Sequence, residues 1–171
     1  MLIDIIQIVT ALIAGFAIAS FGEYWSHRLM HIFPKTCQFH VDHHTDGTGQ
    51  GVVKELRDYV LGGLPILLLT ILVLDRIGAN LYIQIAWVIG CLSYAVFAAY
   101  AHQLQHDNPK LCFWLAMPVH HVHHEYHQWN HNFGIGVDWW DRIFGTYQVV
   151  NWQTESQLQP EKRGYLQVRW W

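Results

Sequence analysis

The stretch Leu81–His106, LYIQIAWVIGCLSYAVFAAYAHQLQH, decides how the chain folds. From Leu81 to Ala101 it carries no charge. As a helix that run rises about 31 Å, the thickness of a bilayer's hydrocarbon core. His102 and His106 follow at once, four residues apart, so on the same helix they share a face. An apolar span thus ends in a histidine pair at one membrane surface.

Working outward, DRIGAN (Asp75–Asn80) allows only a tight antiparallel return to the preceding apolar run, VLGGLPILLLTILVL (Val60–Leu74). Extended by Leu56 and Tyr59, this run makes a second span of about Leu56–Leu74; unextended, its length also suits a buried core helix. Pro65, with Gly62 and Gly63, kinks or loosens it, which bundles tolerate where neighbours re-satisfy the backbone. Nearer the start, IIQIVTALIAGFAIASFG (Ile5–Gly22) is uncharged and of spanning length. The expectation is an all-α, integral membrane helical bundle with about three transmembrane helices and a cytoplasmic helical cap, one domain over residues 1–171.

Three crossings place every histidine on one side. Of the ten Lys and Arg residues, Arg28, Lys35, Lys54, Arg57, Lys110, Arg142, Lys162, Arg163 and Arg169 share that side and only Arg76 falls opposite. By the positive-inside rule the histidine side is the cytoplasm and the N-terminus lies across the membrane. The N-terminus lacks the basic region and short apolar core of a cleaved signal. LCFWLAMPV (Leu111–Val119), with Trp114, and the terminal GYLQVRWW read as interfacial stretches.

A net charge of −3 offers nothing to nucleic acid. Charged residues are 13% of the chain, about half the usual quarter, which suits a lipid-embedded protein. Cys37, Cys91 and Cys112 are odd in number and lack C-x-x-C spacing, so they read as reduced, small core residues.

The thirteen histidines fall in a doubled pattern: H-x-x-x-H (His27, His31) then H-x-x-H-H (His40, His43, His44), and again His102, His106 then His120, His123, His124. On helices, spacings of three and four put each group on one face. A single such pair is commonly surface chemistry, but four groups in the same order twice are not a chance arrangement. Ten imidazoles can hold two metal ions with about five nitrogens each, neutral imidazole being the commonest metal ligand.

His121, His127 and His131 lie outside the pattern and, with Asn132, are candidates for a supporting or cleft role. Ligating histidines usually donate their other N–H to a carboxylate or carbonyl. Glu23, one turn before His27, and Asp138 are the expected carboxylates, ahead of Asp42, Asp107 and Glu125. Imidazoles alone admit zinc, copper, iron or nickel. A structural zinc needs only four ligands, and His124-Glu125-Tyr126-His127 is one residue short of the zinc-protease motif, so iron is favoured.

Taken together, His27/His31, His40/His43/His44, His102/His106 and His120/His123/His124 resemble the histidine boxes of the fatty acid hydroxylase/sterol desaturase superfamily. His131-Asn132-Phe133-Gly134 resembles its Asn-aromatic-Gly element, and DWWDRIFGTY (Asp138–Tyr147) its Asp-x-aromatic-Asp-x-x-Phe-Gly-Thr segment. The resemblance covers about Glu23 to Gln148. It implies a membrane-bound di-iron oxygenase with two Fe ions, replaceable by Zn on purification, and O₂ as co-substrate. Such an enzyme hydroxylates or desaturates an unactivated C–H position of a membrane lipid. The chain is short for the superfamily and shows no fused electron-transfer domain, so a separate ferredoxin or cytochrome b5 type protein is the expected electron donor. Trp25, Trp114, Trp129, Trp139 and Trp140 are candidates to line the substrate path. The compact size also resembles carotenoid ring hydroxylases; a membrane metal-binding or transport protein and a metal-dependent hydrolase are the competing classes. Transporters place polar ligands near the bilayer midplane, whereas the apolar runs read here contain no histidine.

Overall fold

A computed structural model describes residues 2–152 and 164–171. Lys162 and Arg163, counted above in the charge asymmetry, lie outside the described residues. Six α-helices occur among those described: α1 (Leu2–Ile32), α2 (Gln38–Asp46), α3 (Val52–Arg76), α4 (Leu81–Asp107), α5 (Val119–Glu125) and α6 (Trp139–Ile143), with a 3₁₀ turn at Pro109–Leu111. No strand occurs among them. Three helices, α1, α3 and α4, are long and apolar enough to cross a membrane.

Each of the three is longer than the apolar run that predicted it. α1 has 31 residues, about 46 Å against a hydrocarbon core of about 30 Å. Its overhang carries His27 and His31 on without a break. α4 likewise continues through His102 and His106 to Asp107. Asn80 starts α4 by accepting the Ile83 N–H at 3.2 Å, which satisfies one of the donors a helix start leaves bare. α2 ends on Gly47 at φ +63, a left-handed cap.

α4 is the central element: α1 packs along it on one side and α3 on another, while α1 and α3 barely touch. The α1–α4 contact is close because both helices offer glycine. A Cβ on Gly90 would run into the Leu12 carbonyl, and one on Gly15 into that of Trp87. Small residues allow backbones in a membrane bundle to approach in this way. Leucines and isoleucines stay exposed along the helices, among them Ile5, Leu68, Leu69 and Leu72, as a lipid-facing surface requires.

Near the histidine-bearing ends, described residues beyond the spans pack a small core with α4. It gathers Leu104, Cys112, Leu115, Met117, Val119, Val122 and Val168. The two stretches expected at the interface also take part in the fold. Of Leu111–Val119 only Phe113 projects strongly outward, at 81% exposure, and the Trp114 indole donates to the Gly136 carbonyl at 2.9 Å. At the C-terminus the Arg169 and Trp170 carbonyls accept from Val52 and Val53, both at 3.0 Å. That latch satisfies the first donors of α3, leaving Leu166 and Trp171 exposed. All three cysteines are free, as expected.

Candidate metal centre

The four histidine groups converge. α1 supplies His27 and His31, α2 His40, His43 and His44, α4 His102 and His106, and α5 His120, His123 and His124. They sort into two clusters: His27, His31, His44 and His123, and His43, His106, His120 and His124. Within each, one ring nitrogen per residue lies within 4.8 Å of the others. Nitrogens bonded to one ion at about 2.1 Å stand at most about 4.2 Å apart, so the rings need close in by only a fraction of an ångström. The clusters meet where His44 stacks on His124, ring centroids 4.0 Å apart. His40 and His102 stand at the margins, with Nε2 2.8 Å from that of His31 and 3.3 Å from that of His43 respectively.

Tautomers make the cluster more than a crowd. The Nδ1 of His27 lies 2.6 Å from the Phe133 carbonyl, and that of His123 lies 2.7 Å from the His131 carbonyl. A carbonyl only accepts, so both Nδ1 atoms carry the proton and both Nε2 atoms present a lone pair. The His123 Nε2 nonetheless sits 3.0 Å from the Nε2 of His31 and 3.2 Å from that of His44. His27 Nε2 is 3.2 Å from His31 Nε2. One ring can donate to only one neighbour. Several inward lone pairs at this spacing repel unless a cation lies between them.

Burial removes the alternative of protonation. Desolvation, then the neighbouring rings, pulls His40 and His44 down to about 3. Burial likewise holds His43 and His123 to about 4, and keeps His120 and His124 well below the ordinary imidazole value. The rings are neutral at neutral pH, as metal ligands must be. The sign of the linkage follows: these groups titrate lower in the fold than in the unfolded chain, so the unfolded chain binds protons first as pH falls. Metal-free protein should lose thermal stability progressively below about pH 6.5, while metal-loaded protein resists over the same window. Thermal unfolding in detergent at stepped pH measures this; a metal-free midpoint that stays flat down to about pH 5 counts against it.

The supporting groups differ from expectation. Glu55 of α3, not singled out by sequence, lies 3.1 Å from His102 Nδ1. Glu23 makes no hydrogen bond to a histidine among the described residues. It is buried, bonds the Tyr94 hydroxyl, and accepts the Ile135 and Gly136 N–H groups at 3.0 and 3.1 Å. It thereby holds the loop whose Phe133 carbonyl orients His27. Asp138 is half-buried and paired with Arg142 at 2.7 Å, away from the histidines. The carboxylate beneath the centre is Asp141, which accepts from Phe133 N, Gly134 N and the Thr146 hydroxyl at 2.7–2.8 Å. Gln105, fully buried, joins α5 and this loop to α4 by accepting from His120 N and donating to the Ile135 carbonyl.

His127 is exposed at φ +50, and the His121 ring faces Trp152. His131 contributes its backbone carbonyl. Asn132, at φ +58, bonds the Gln128 side chain and both backbone groups of Gln148, clamping two loop segments together. None of these four enters the clusters. Glutamine at Glu55 should weaken metal binding about 10–100-fold, the usual effect of losing a ligand's outer partner. Competition with a calibrated chelator reads it, and unchanged affinity would show that His102 needs no carboxylate.

A cavity of about 970 Å³ runs from the clusters into the bundle. At one end stand His40, His43, His102 and His120; along the other Leu64, Ile66, Leu67, Cys91 and Leu92. That volume is at the upper end for small-molecule sites. None of the five tryptophans proposed to line a path borders it. Trp25 and Trp140 instead pack with Phe21 and Phe144, and Trp129 lies on His31 at 4.3 Å.

Fold and site together define a helical membrane protein with two adjoining histidine clusters able to hold metal at one end of its bundle. The model of the fatty acid hydroxylase family matches residues 12–146. That is most of the chain, and the chain belongs to this family. Membership makes it a membrane oxidoreductase of the hydroxylase/desaturase kind. No curated protein and no solved structure matches it significantly.

Proposed function

We propose that the chain is an O₂-dependent di-iron hydroxylase or desaturase of a membrane lipid, drawing two external electrons per turnover. The observation that carries this reading is the convergence of eight ring nitrogens in two adjoining clusters, with the His27 and His123 tautomers set by the Phe133 and His131 carbonyls. His27, His31, His44 and His123 would hold one ion and His43, His106, His120 and His124 the other, with His40 and His102 as additional ligands. A bound iron pair supplies the reduction of O₂ and the removal of hydrogen from an unactivated C–H bond.

The chain's own residues do the rest. Aliphatic walls accept the apolar part of a lipid and exclude water. His43, His102 and His120 border the cavity's polar end, where they would hold metal within reach of the substrate. Glu23 and Asp141 hold the loop that fixes ring orientation. Electrons come from a separate ferredoxin or cytochrome b5 type protein, and the histidine end faces the cytoplasm, as the placement of Lys and Arg supports. Lipid and pigment profiles of cells expressing the native chain or His43→Ala test this. An oxygenated or desaturated product confined to the native chain is expected; unaltered lipids and pigments with iron-loaded protein would sink it.

A further inference from the structure

Gly62 and Gly63 stand side by side in the middle of α3, where glycine weakens a helix relative to alanine. Membrane helices usually offset that loss by close backbone approach, as Gly15 and Gly90 do. The α3 glycines do not. A Cβ at either one meets nothing within 4 Å, and the same holds for Gly22 of α1. All three border the cavity that leads to the histidines. Their missing side chains keep space open inside the bundle.

The space has a direction. Gly62 lies two turns beyond Glu55, about 10 Å along the axis and on the same helical face. Glu55 touches His102, and Tyr59 on that face also lines the cavity. α1 and α3 barely touch, and both glycines line the cavity while exposed on a membrane-spanning helix, so the cavity is open to lipid beside them. Pro65, a turn further, cannot donate to the Leu61 carbonyl, so one helical hydrogen bond is missing beside the same opening. At the inner end His120 is buried on the cavity wall, and its Nδ1 has no hydrogen-bond partner among the described residues.

We propose that Gly62 and Gly63 are the specificity-determining residues of this groove. The hydrocarbon part of a membrane lipid lies across them, and the bulk allowed at these two positions sets which lipids reach the histidines. The proposal rests on the oxygenase reading for the fate of the lipid, but not for its binding.

The test uses the purified full-length chain, titrated with cis-parinaric acid as a single-chain probe and dehydroergosterol as a ring probe. A size series at each glycine (Ala, Leu, Phe) is compared with Leu69→Phe, an exposed position of α3 outside the cavity. The probe that the native chain binds should weaken about 2–3-fold with alanine and at least about 10-fold with phenylalanine. Metal content should stay unchanged, and Leu69→Phe should bind as the native chain does. Native-like affinity in Gly62→Phe and Gly63→Phe overturns the proposal, as does failure of the native chain to bind either probe. Should the large variants not fold, the alanine pair decides, since alanine favours the helix; a flat response there also overturns it. If the native chain binds with this ranking but oxidises no lipid, the oxygenase reading fails and the groove assignment stands. If it oxidises lipid and the phenylalanine variants leave the product spectrum unchanged, the groove assignment fails alone.

Discussion

Alanine at His123 should reduce the metal content of iron-reconstituted protein from about two ions per chain to about one. The His123 ring is the hub of its cluster, with Nε2 at 3.0 and 3.2 Å from His31 and His44. Its removal leaves His27, His31 and His44 facing a gap, while His43, His106, His120 and His124 keep their full set. Loss of a direct ligand should weaken that ion by more than the 10–100-fold typical of losing an outer partner. His43→Ala should remove the other ion instead. Metal analysis after anaerobic loading and gel filtration reads both, with helical circular dichroism confirming the fold. Retention of two tightly bound ions in either variant would falsify the division into two clusters.

Asparagine at Asp141 should be the most destabilising of the conservative changes outside the histidines. The carboxylate is fully buried and accepts three hydrogen bonds. Burial raises its pKa against the opposing pull of those bonds. An amide turns one acceptor oxygen into a donor and points it at a backbone N–H or the Thr146 hydroxyl. At about 1–3 kcal/mol for each buried group left unpaired, a loss of roughly 2–4 kcal/mol follows, and a fall in melting temperature of roughly 5–15 °C. Asp141 also anchors Phe133 and Gly134, so metal affinity should fall with it through the His27 contact. A melting temperature within about 2 °C of native would show that the loop is held by other means.

Much of this architecture is legible in one dimension because a bilayer imposes a simple code. Uncharged runs of spanning length can only be helices, and the Asp75–Asn80 connection forces α3 and α4 together. Histidine spacings of three and four then place each group on one helix face. Those rules are local, and all four histidine groups follow from them. Helix ends are less local. α1 and α4 run past their apolar stretches because the histidine turns make contacts with distant loop and α5 residues, which hydropathy does not register.

Neither expected carboxylate bonds a histidine, for a physical reason, although Glu23 does border the cavity. Glu23 and Asp138 are near histidines along the chain, but hydrogen bonds are set by distance in space. Glu55 stands 47 positions from His102 in the sequence, beside it only because α3 folds back on α4. One available signal was its place: an acidic residue in the first turn of a membrane helix, on the face of Tyr59, Gly62 and Ile66. The tryptophans were misplaced similarly, since aromatic character does not say whether a ring lines a path or fills a core.

Composition and spacing settle the solvent, the helices and the inventory of imidazoles, since each depends on residues a few positions apart. Which nitrogen of the His27 and His123 rings faces inward depends on the Phe133 and His131 carbonyls, brought there by a loop distant from α1 in the sequence. The partition into two clusters and the open groove past Gly62 and Gly63 depend equally on contacts between distant segments. Those are sums of packing over the whole molecule, so only the tertiary structure decides them.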